Sequence, residues 1–156
     1  MKVLMVVVGR VRGEHAAAVA EYEKRAGRYW KLEVIEVAAG AGRRDAAPGT
    51  VKAAEAERIL ARIPRQLEVV ALSREGEGMD SRELAGYLDQ HGIRSSAGVA
   101  FVIGGAHGLD SAVLEISRRS LALSKMTLPH EMARLVLAEQ LYRAGTILRG
   151  EPYHKG

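Results

Sequence analysis

Residues 98–103, Gly-Val-Ala-Phe-Val-Ile, carry no polar side chain. A strand of that composition has two dry faces, so it belongs in the middle of a sheet covered on both sides. Helices are the usual cover, and the chain supplies them in alternation with further strands. Residues 2–8 (KVLMVVV) form a β-branched run that stops at Gly9, and residues 14–28 follow with Ala17, Val19, Ala20 and Tyr22 on a helical repeat. Residues 32–38 alternate apolar side chains with Glu33 and Glu36, the pattern of a strand near an edge or with one wet side. After a Gly/Ala/Pro loop over 39–50 that contains the Arg43–Arg44 pair, Thr50 is placed to cap a helix that runs to Ile63 and is stopped by Pro64. Residues 67–72 are a third strand, residues 73–80 (SREGEGMD) a polar turn, and Ser81 the cap of a helix to about His91. Asp110 or Ser111 caps a short helix, residues 119–123 are a weak fifth strand, and the last long helix covers 129–146 with Pro129 in its first turn, where proline is tolerated. The tail, 148–156, contains Gly150 and Pro152 and is expected to be extended. The sum is one α/β domain over 1–156, a mainly parallel sheet with helices on both faces.

In such sheets ligands bind beyond the carboxyl ends of the strands. Three loops meet that condition and hold the unusual residues: 72–79, 104–108 and 123–129. Composition narrows what they hold. The chain has no cysteine, which excludes disulfides, a thiol nucleophile, iron–sulfur clusters and any cysteine zinc site. The opening apolar run is too short to span a membrane and lacks the small-residue cleavage pattern of a signal peptide, so the expected location is the cytoplasm. Net charge is +4 and the isoelectric point about 9.6, a mild basic excess that suits a polyanionic partner. With seven aromatic residues, a nucleic-acid partner is read through shape and phosphates more than through stacked bases.

Gly104, Gly105 and Gly108 follow the buried strand directly, where glycine lets the backbone approach a ligand. A dinucleotide fingerprint needs glycine at 103, and Ile103 stands there; the pattern should also follow the first strand and not the fourth. Met126 and Leu128 are apolar where a turn is normally polar. They either plug the core or cover a flat heteroaromatic ligand whose edge is read by backbone groups. His130-Glu131 opens like a zinc-protease helix, but the second ligand position holds Arg134, so no metal is expected. His130 with Arg134, and Glu139 with Arg143, share helix faces and read as solvated pairs. No nucleophile elbow or P-loop lysine is present. In the tail, Tyr153, His154 and Lys155 place a stacking ring, an imidazole and a cation side by side.

Together the strings FVIGGAHGL, LSKMTLPHEMARLVLAEQLYRA and the terminal PYHKG, with the opening MKVLMVVVGR, resemble the RlmH family of ribosomal RNA methyltransferases over the whole chain. That family belongs to the SPOUT class, so the resemblance implies a trefoil knot in the carboxyl half. It implies S-adenosylmethionine as cofactor, with contacts at Leu72, Gly104, Leu123, Ser124, Lys125, Met126, Thr127 and Leu128, and Gly105 shaping the turn. The implied reaction is methylation of N3 of a pseudouridine in 23S ribosomal RNA of assembled ribosomes. Arg143, Tyr153, His154 and Lys155 are the implied catalytic group, with either a cation favouring the N3 anion or His154 acting as base. The implied assembly is a homodimer in which each tail reaches its partner's cofactor site, with no metal and no membrane. The family often has arginine where Lys155 stands; lysine keeps the charge but not the planar fork. The competing readings are a non-catalytic ribosome-binding factor that retains the fold, and a different small-molecule enzyme using the same strand-end cleft.

Overall fold

The computed structural model describes residues 1–156 as five strands and five helices in strict alternation. They are β1 (Lys2–Val8), α1 (Glu14–Ala26), β2 (Lys31–Val37), α2 (Pro48–Leu60), β3 (Glu68–Gly78), α3 (Ser81–Ile93), β4 (Gly98–Ile103), α4 (Ser111–Ile116), β5 (Arg119–Ala122) and α5 (His130–Leu148). The sheet order is β2-β1-β4-β3-β5 and every pairing is parallel. The fully apolar run 98–103, β4, is the central strand. Its side chains divide by the two-residue period of a strand. Val99, Phe101 and Ile103, with Val3, Met5 and Val7 of β1, face α3 and α5 through Leu84, Leu88, Leu137 and Leu141. Ala100 and Val102, with Leu4, Val6 and Val8, face α2 and α4 through Ala56, Ile59 and Val113. Both clusters are dry, and each fully buried Val, Leu or Phe contributes roughly 1.5–3 kcal/mol to folding.

Four local expectations are corrected. Helix α2 starts at Pro48 with Ala47 as its cap residue and ends at Leu60; Pro48 sits at the first helical position, where its missing N–H is harmless. Helix α3 is capped by Asp80, not Ser81: the Asp80 carboxylate accepts from the Glu83 amide at 2.8 Å and the Glu83 carboxylate accepts from the Asp80 amide at 2.7 Å. Residues 73–80 are not a free turn. β3 continues to Gly78, and Leu72 and Glu77 both pair with Leu121, so residues 73–76 are pushed out of the ladder between them. Gly76 permits this because a Cβ there would lie 2.5 Å from the Ser120 carbonyl oxygen.

The tail is not extended either. Beyond α5 it turns at Gly150 (φ 69°), where the Glu151 amide donates to the Thr146 carbonyl at 2.9 Å, and runs back along its own helix. The Tyr29 hydroxyl donates to Glu151 at 2.5 Å and the Tyr153 ring meets Tyr142 edge-on at 4.6 Å, so the return is packed by the α1–β2 turn and by α5.

Candidate functional site

Because all five strands are parallel, the loops after them share one rim. Loops 72–75, 103–109 and 123–130 there enclose a cleft of about 860 Å3, within the range of small-molecule sites. Its wall is largely leucine: Leu72, Leu109, Leu121, Leu123 and Leu128 line it. Gly104 and Gly105 form the floor. A Cβ on Gly104 would come within 2.9 Å of the Gly108 carbonyl carbon and 3.0 Å of Leu109, so only glycine closes this turn. Ser124 braces the third loop by accepting the Met126 amide at 2.9 Å. Met126 does not plug the core; it is 77% exposed at the mouth of the cleft. Of the sequence-predicted cofactor residues, Leu72, Gly104, Gly105, Leu123, Ser124, Met126, Thr127 and Leu128 line the cleft. Lys125 is exposed beside it and is not part of the lining.

The sequence reading passed over three further lining residues. Arg74 reaches across the mouth to Thr127 Oγ1 at 3.3 Å, and Glu75 lies next to it. His130 walls the cleft from the start of α5, with its Nε2 buried and without a hydrogen-bond partner. Its position directly after the 123–129 loop was the available signal. Behind the floor, the buried carboxylate of Glu55 accepts the Gly40 amide at 2.8 Å, and its other oxygen is unpartnered close to Gly105.

The tail residues gather elsewhere. Arg143 and Glu139 are ion-paired at 2.5 Å, and the guanidinium lies 4.8 Å from the centre of the Tyr153 ring. The Tyr153 hydroxyl donates to Glu139 at 3.2 Å, and Arg143 faces His154 Nδ1 at 3.1 Å. An arginine has only donors to offer. His154 Nδ1 is therefore the acceptor, and the free edge of the imidazole is Nε2–H. Glu139 holds the Arg143 guanidinium above its usual range, and burial, with Tyr22 and Glu139 adding to it, pushes the Tyr153 hydroxyl up. Lys155 is exposed. None of the four lines the cleft. His130 and Arg143 are 13 residues apart on one helix, about 20 Å at 1.5 Å per residue.

The expected solvated pair of His130 and Arg134 is corrected as well. The Arg134 side chain is 9% exposed and holds Glu23 of α1 at 2.8 Å and Glu36 of β2 at 2.6 Å. It locks α5 against the sheet edge.

A parallel sheet of this order, with its strand-end loops closed around one cleft, accompanies a match of residues 1–154 to the family model described as predicted SPOUT methyltransferase. Fold and site thus define the class, a SPOUT methyltransferase. Among solved structures, a probable methyltransferase from Bordetella pertussis shares the fold with a TM-score of 0.54 at 20% identity, covering 92% of this chain and 95% of that one. A probable methylase family protein from Haemophilus influenzae gives 0.54 at 16% identity, over 99% of this chain and 70% of that one. Ribosomal RNA large subunit methyltransferase H of Gemmatimonas aurantiaca is 53% identical over 156 residues, 99% of this chain and 100% of that protein. The protein of the same name from Bifidobacterium adolescentis is 42% identical over 159 aligned positions, again 99% and 100%. The chain belongs to the RlmH family of ribosomal RNA large subunit methyltransferases.

Proposed function

We propose that this protein transfers a methyl group from S-adenosylmethionine to N3 of a pseudouridine in 23S ribosomal RNA of assembled ribosomes, in the cytoplasm, acting as a homodimer. The observation that carries the reading is the single cleft formed by three strand-end loops in a chain of this family. The cleft suits the cofactor chemically. Its leucines offer apolar cover for an adenine ring, while the glycine floor and the 123–128 loop bring backbone polar groups to the ring edge. When bound, the cofactor supplies a methyl carbon already activated by its sulfonium, so no metal is required for transfer. The chain's task is alignment of that carbon with N3, and positioning supplies much of the rate in such reactions. Leu72, Gly104 and the 123–128 loop would hold the cofactor, which would supply the methyl group to N3 and depart as its demethylated thioether while the N3 proton passes to solvent.

The tail cluster handles the charge on N3. Arg143, fixed by Glu139, and the exposed Lys155 favour the N3 anion by proximity. His154 presents Nε2–H and so acts as a hydrogen-bond donor to the nucleobase rather than as the base. The Arg143 cluster lies about 15 Å along α5 from Ala133, the cleft-lining residue of that helix nearest to it, and lines no part of that cleft, which favours a second copy as the source of the cleft it serves. We therefore assign the tail of each protomer to the cleft of its partner. The knotted threading of the family is part of the same reading, since it would hold the three loops together without a ligand. The test is transfer of tritiated methyl from S-adenosylmethionine to ribosomes from a strain lacking the enzyme. Label on N3 of one pseudouridine is the expected result; label on free RNA but not on ribosomes overturns the substrate. Absence of cofactor binding by calorimetry at millimolar concentration overturns the reaction and favours the non-catalytic ribosome-binding alternative.

A further inference from the structure

The cleft occupies the β4-β3-β5 half of the rim. The other half, beyond β1 and β2, carries loops 9–13 and 38–47, which line no cavity described above. Their composition is one-sided. They hold Arg10, Arg12, Arg43 and Arg44 against the single acid Asp45, in a chain whose whole net charge is +4. All four arginines are exposed. None of them is paired with a carboxylate. Exposed arginines without a carboxylate partner are available to an external anion.

The two loops are also bolted to the cleft. Loop 9–13 leaves β1 at Gly9, whose amide donates to the Val37 carbonyl at 2.9 Å, so it emerges hydrogen-bonded to the end of β2. Gly9 has φ 86°, and a Cβ there would stand 3.3 Å from His130 Nε2, so this loop packs directly on the cleft wall. Loop 38–47 is clamped from below. Arg58 donates to the carbonyls of Ala38 at 2.7 Å and Gly40 at 2.6 Å, and Glu55 accepts the Gly40 amide while its carboxylate lies behind Gly105 of the cleft floor. A long surface loop with a buried carboxylate and a guanidinium spent on its backbone is held in place. What it holds in place is an arginine pair.

We propose that Arg10, Arg12, Arg43 and Arg44 form a phosphate-binding rim that sets the register of the ribosomal RNA over the cleft. Planar guanidiniums suit phosphate oxygens, and contacts to phosphates position a nucleic acid without reading its sequence. With few aromatic platforms in the chain, register has to come from the backbone. The inference rests on the functional reading above. It assigns these four residues to positioning the substrate, outside the reacting atoms.

The test is the double variant Arg43→Gln/Arg44→Gln, with Arg10→Gln/Arg12→Gln as an independent pair and Arg43→Lys/Arg44→Lys as the charge-preserving control. Binding to ribosomes is measured directly by co-sedimentation over a salt series, alongside methyl transfer and calorimetry with S-adenosylmethionine. Each glutamine pair should weaken ribosome binding about tenfold or more and lower the slope of log affinity against log salt by about 1.5, because two phosphate contacts and their released counterions are lost. KM for ribosomes should rise with kcat and cofactor affinity unchanged, and the lysine pair should restore the salt slope. Ribosome affinity and slope unchanged in both glutamine pairs overturn the proposal even if transfer is normal. Weaker binding with an unchanged slope also overturns it, since that marks a protein contact. If the parent binds ribosomes but never methylates them, and the variants still lose affinity and slope, the functional reading fails while the rim stands.

Discussion

The separation of tail from cleft makes a quantitative prediction about mixed dimers. Thr127→Trp places an indole at the mouth of the cleft from an exposed position, so it blocks the cofactor without disturbing the core. Deletion of 152–156 removes Tyr153, His154 and Lys155 and leaves every cleft residue in place. Each homodimer is inactive, and calorimetry distinguishes them: the indole variant loses cofactor binding, and the truncated chain keeps it. Along α5 the Arg143 cluster lies about 20 Å from His130, so a tail cannot serve its own cleft without abandoning the packing of Tyr153 on Tyr142 and of His154 on Arg143. If tails act across the interface, a heterodimer of the two variants has one working site, formed by the open cleft of the truncated chain and the intact tail of its partner. Random pairing of equal amounts makes half of all dimers heterodimers, so the co-expressed mixture should recover about a quarter of the parental transfer rate on ribosomes. The alternative is equally sharp. A tail that serves its own cleft leaves each heterodimer with no complete site, and the mixture stays at background. Background activity in a mixture shown by tag capture to contain heterodimers would refute the shared site. Monomers of the truncated chain in sedimentation would also count against it, because the tail would then be holding the dimer together.

Three further outcomes follow from individual residues. Arg134→Met leaves Glu23 and Glu36 facing each other without their cation. Breaking one side of a buried pair costs about 3–5 kcal/mol, and partial exposure of Glu36 places this case near 3. That is a fall in Tm of roughly 6–12 °C for a chain of this size; a fall under 2 °C by calorimetry would show the triad to be incidental. Near the amino-terminal ends of β3 and β4, burial pushes the Glu68 carboxyl up, but hydrogen bonds from the Tyr87 hydroxyl and His91 outweigh it and hold its pKa below the ordinary value. A depressed carboxylate contributes stability that is complete above its unfolded pKa and is lost as pH falls through the folded one. Urea midpoints taken downward from about pH 5 should therefore fall less steeply for Glu68→Gln than for the parent, and parallel curves would contradict the assignment. His154→Gln keeps a donor at the end of the tail, so kcat should fall less than about tenfold; a loss of a hundredfold or more is what removal of a general base produces and would reassign the proton to His154.

The legible part of the fold was the part decided by neighbours in sequence. The two-sided dryness of β4 and β1 is written in consecutive residues, and so is the wet alternation of β2 at the edge. The three cleft loops were legible because the parallel alternation alone sends every strand's carboxyl end to one rim. What failed was decided at a distance. The string SREGEGMD is a turn by composition, and it becomes an interrupted strand only because β5 pairs with Leu72 and again with Glu77. Arg134 is one turn from His130 in sequence, but its partners Glu23 and Glu36 are 111 and 98 residues away, so no local spacing marks it as buried. Glu55 reads as a helix-surface acid until the Gly40 amide and Gly105 close over it. The tail has the composition of a frayed end, and it is held by Tyr29 of the α1–β2 turn and Tyr142 of α5.

The same division applies to the chemistry. Residues that line the cleft through their own loop, such as Gly104 and most of the 123–128 run, can be named from a motif, because the loop carries its contacts with it. Residues that act through an assembly cannot. Arg143 and Tyr153 are set by Glu139 and Tyr142 within one chain, yet neither lines the strand-end cleft of that chain. If the tail serves a partner's cleft as proposed, a chain with a cationic cluster toward one end of α5 and a cleft at the other carries two half-sites held a fixed distance apart by that helix. That rigidity is what Arg134 maintains. A substitution there should therefore lower transfer beyond its effect on stability, measured at a temperature where the variant is fully folded. Recovery of full kcat in the folded Arg134→Met dimer would separate the stability of α5 from the alignment of the two half-sites.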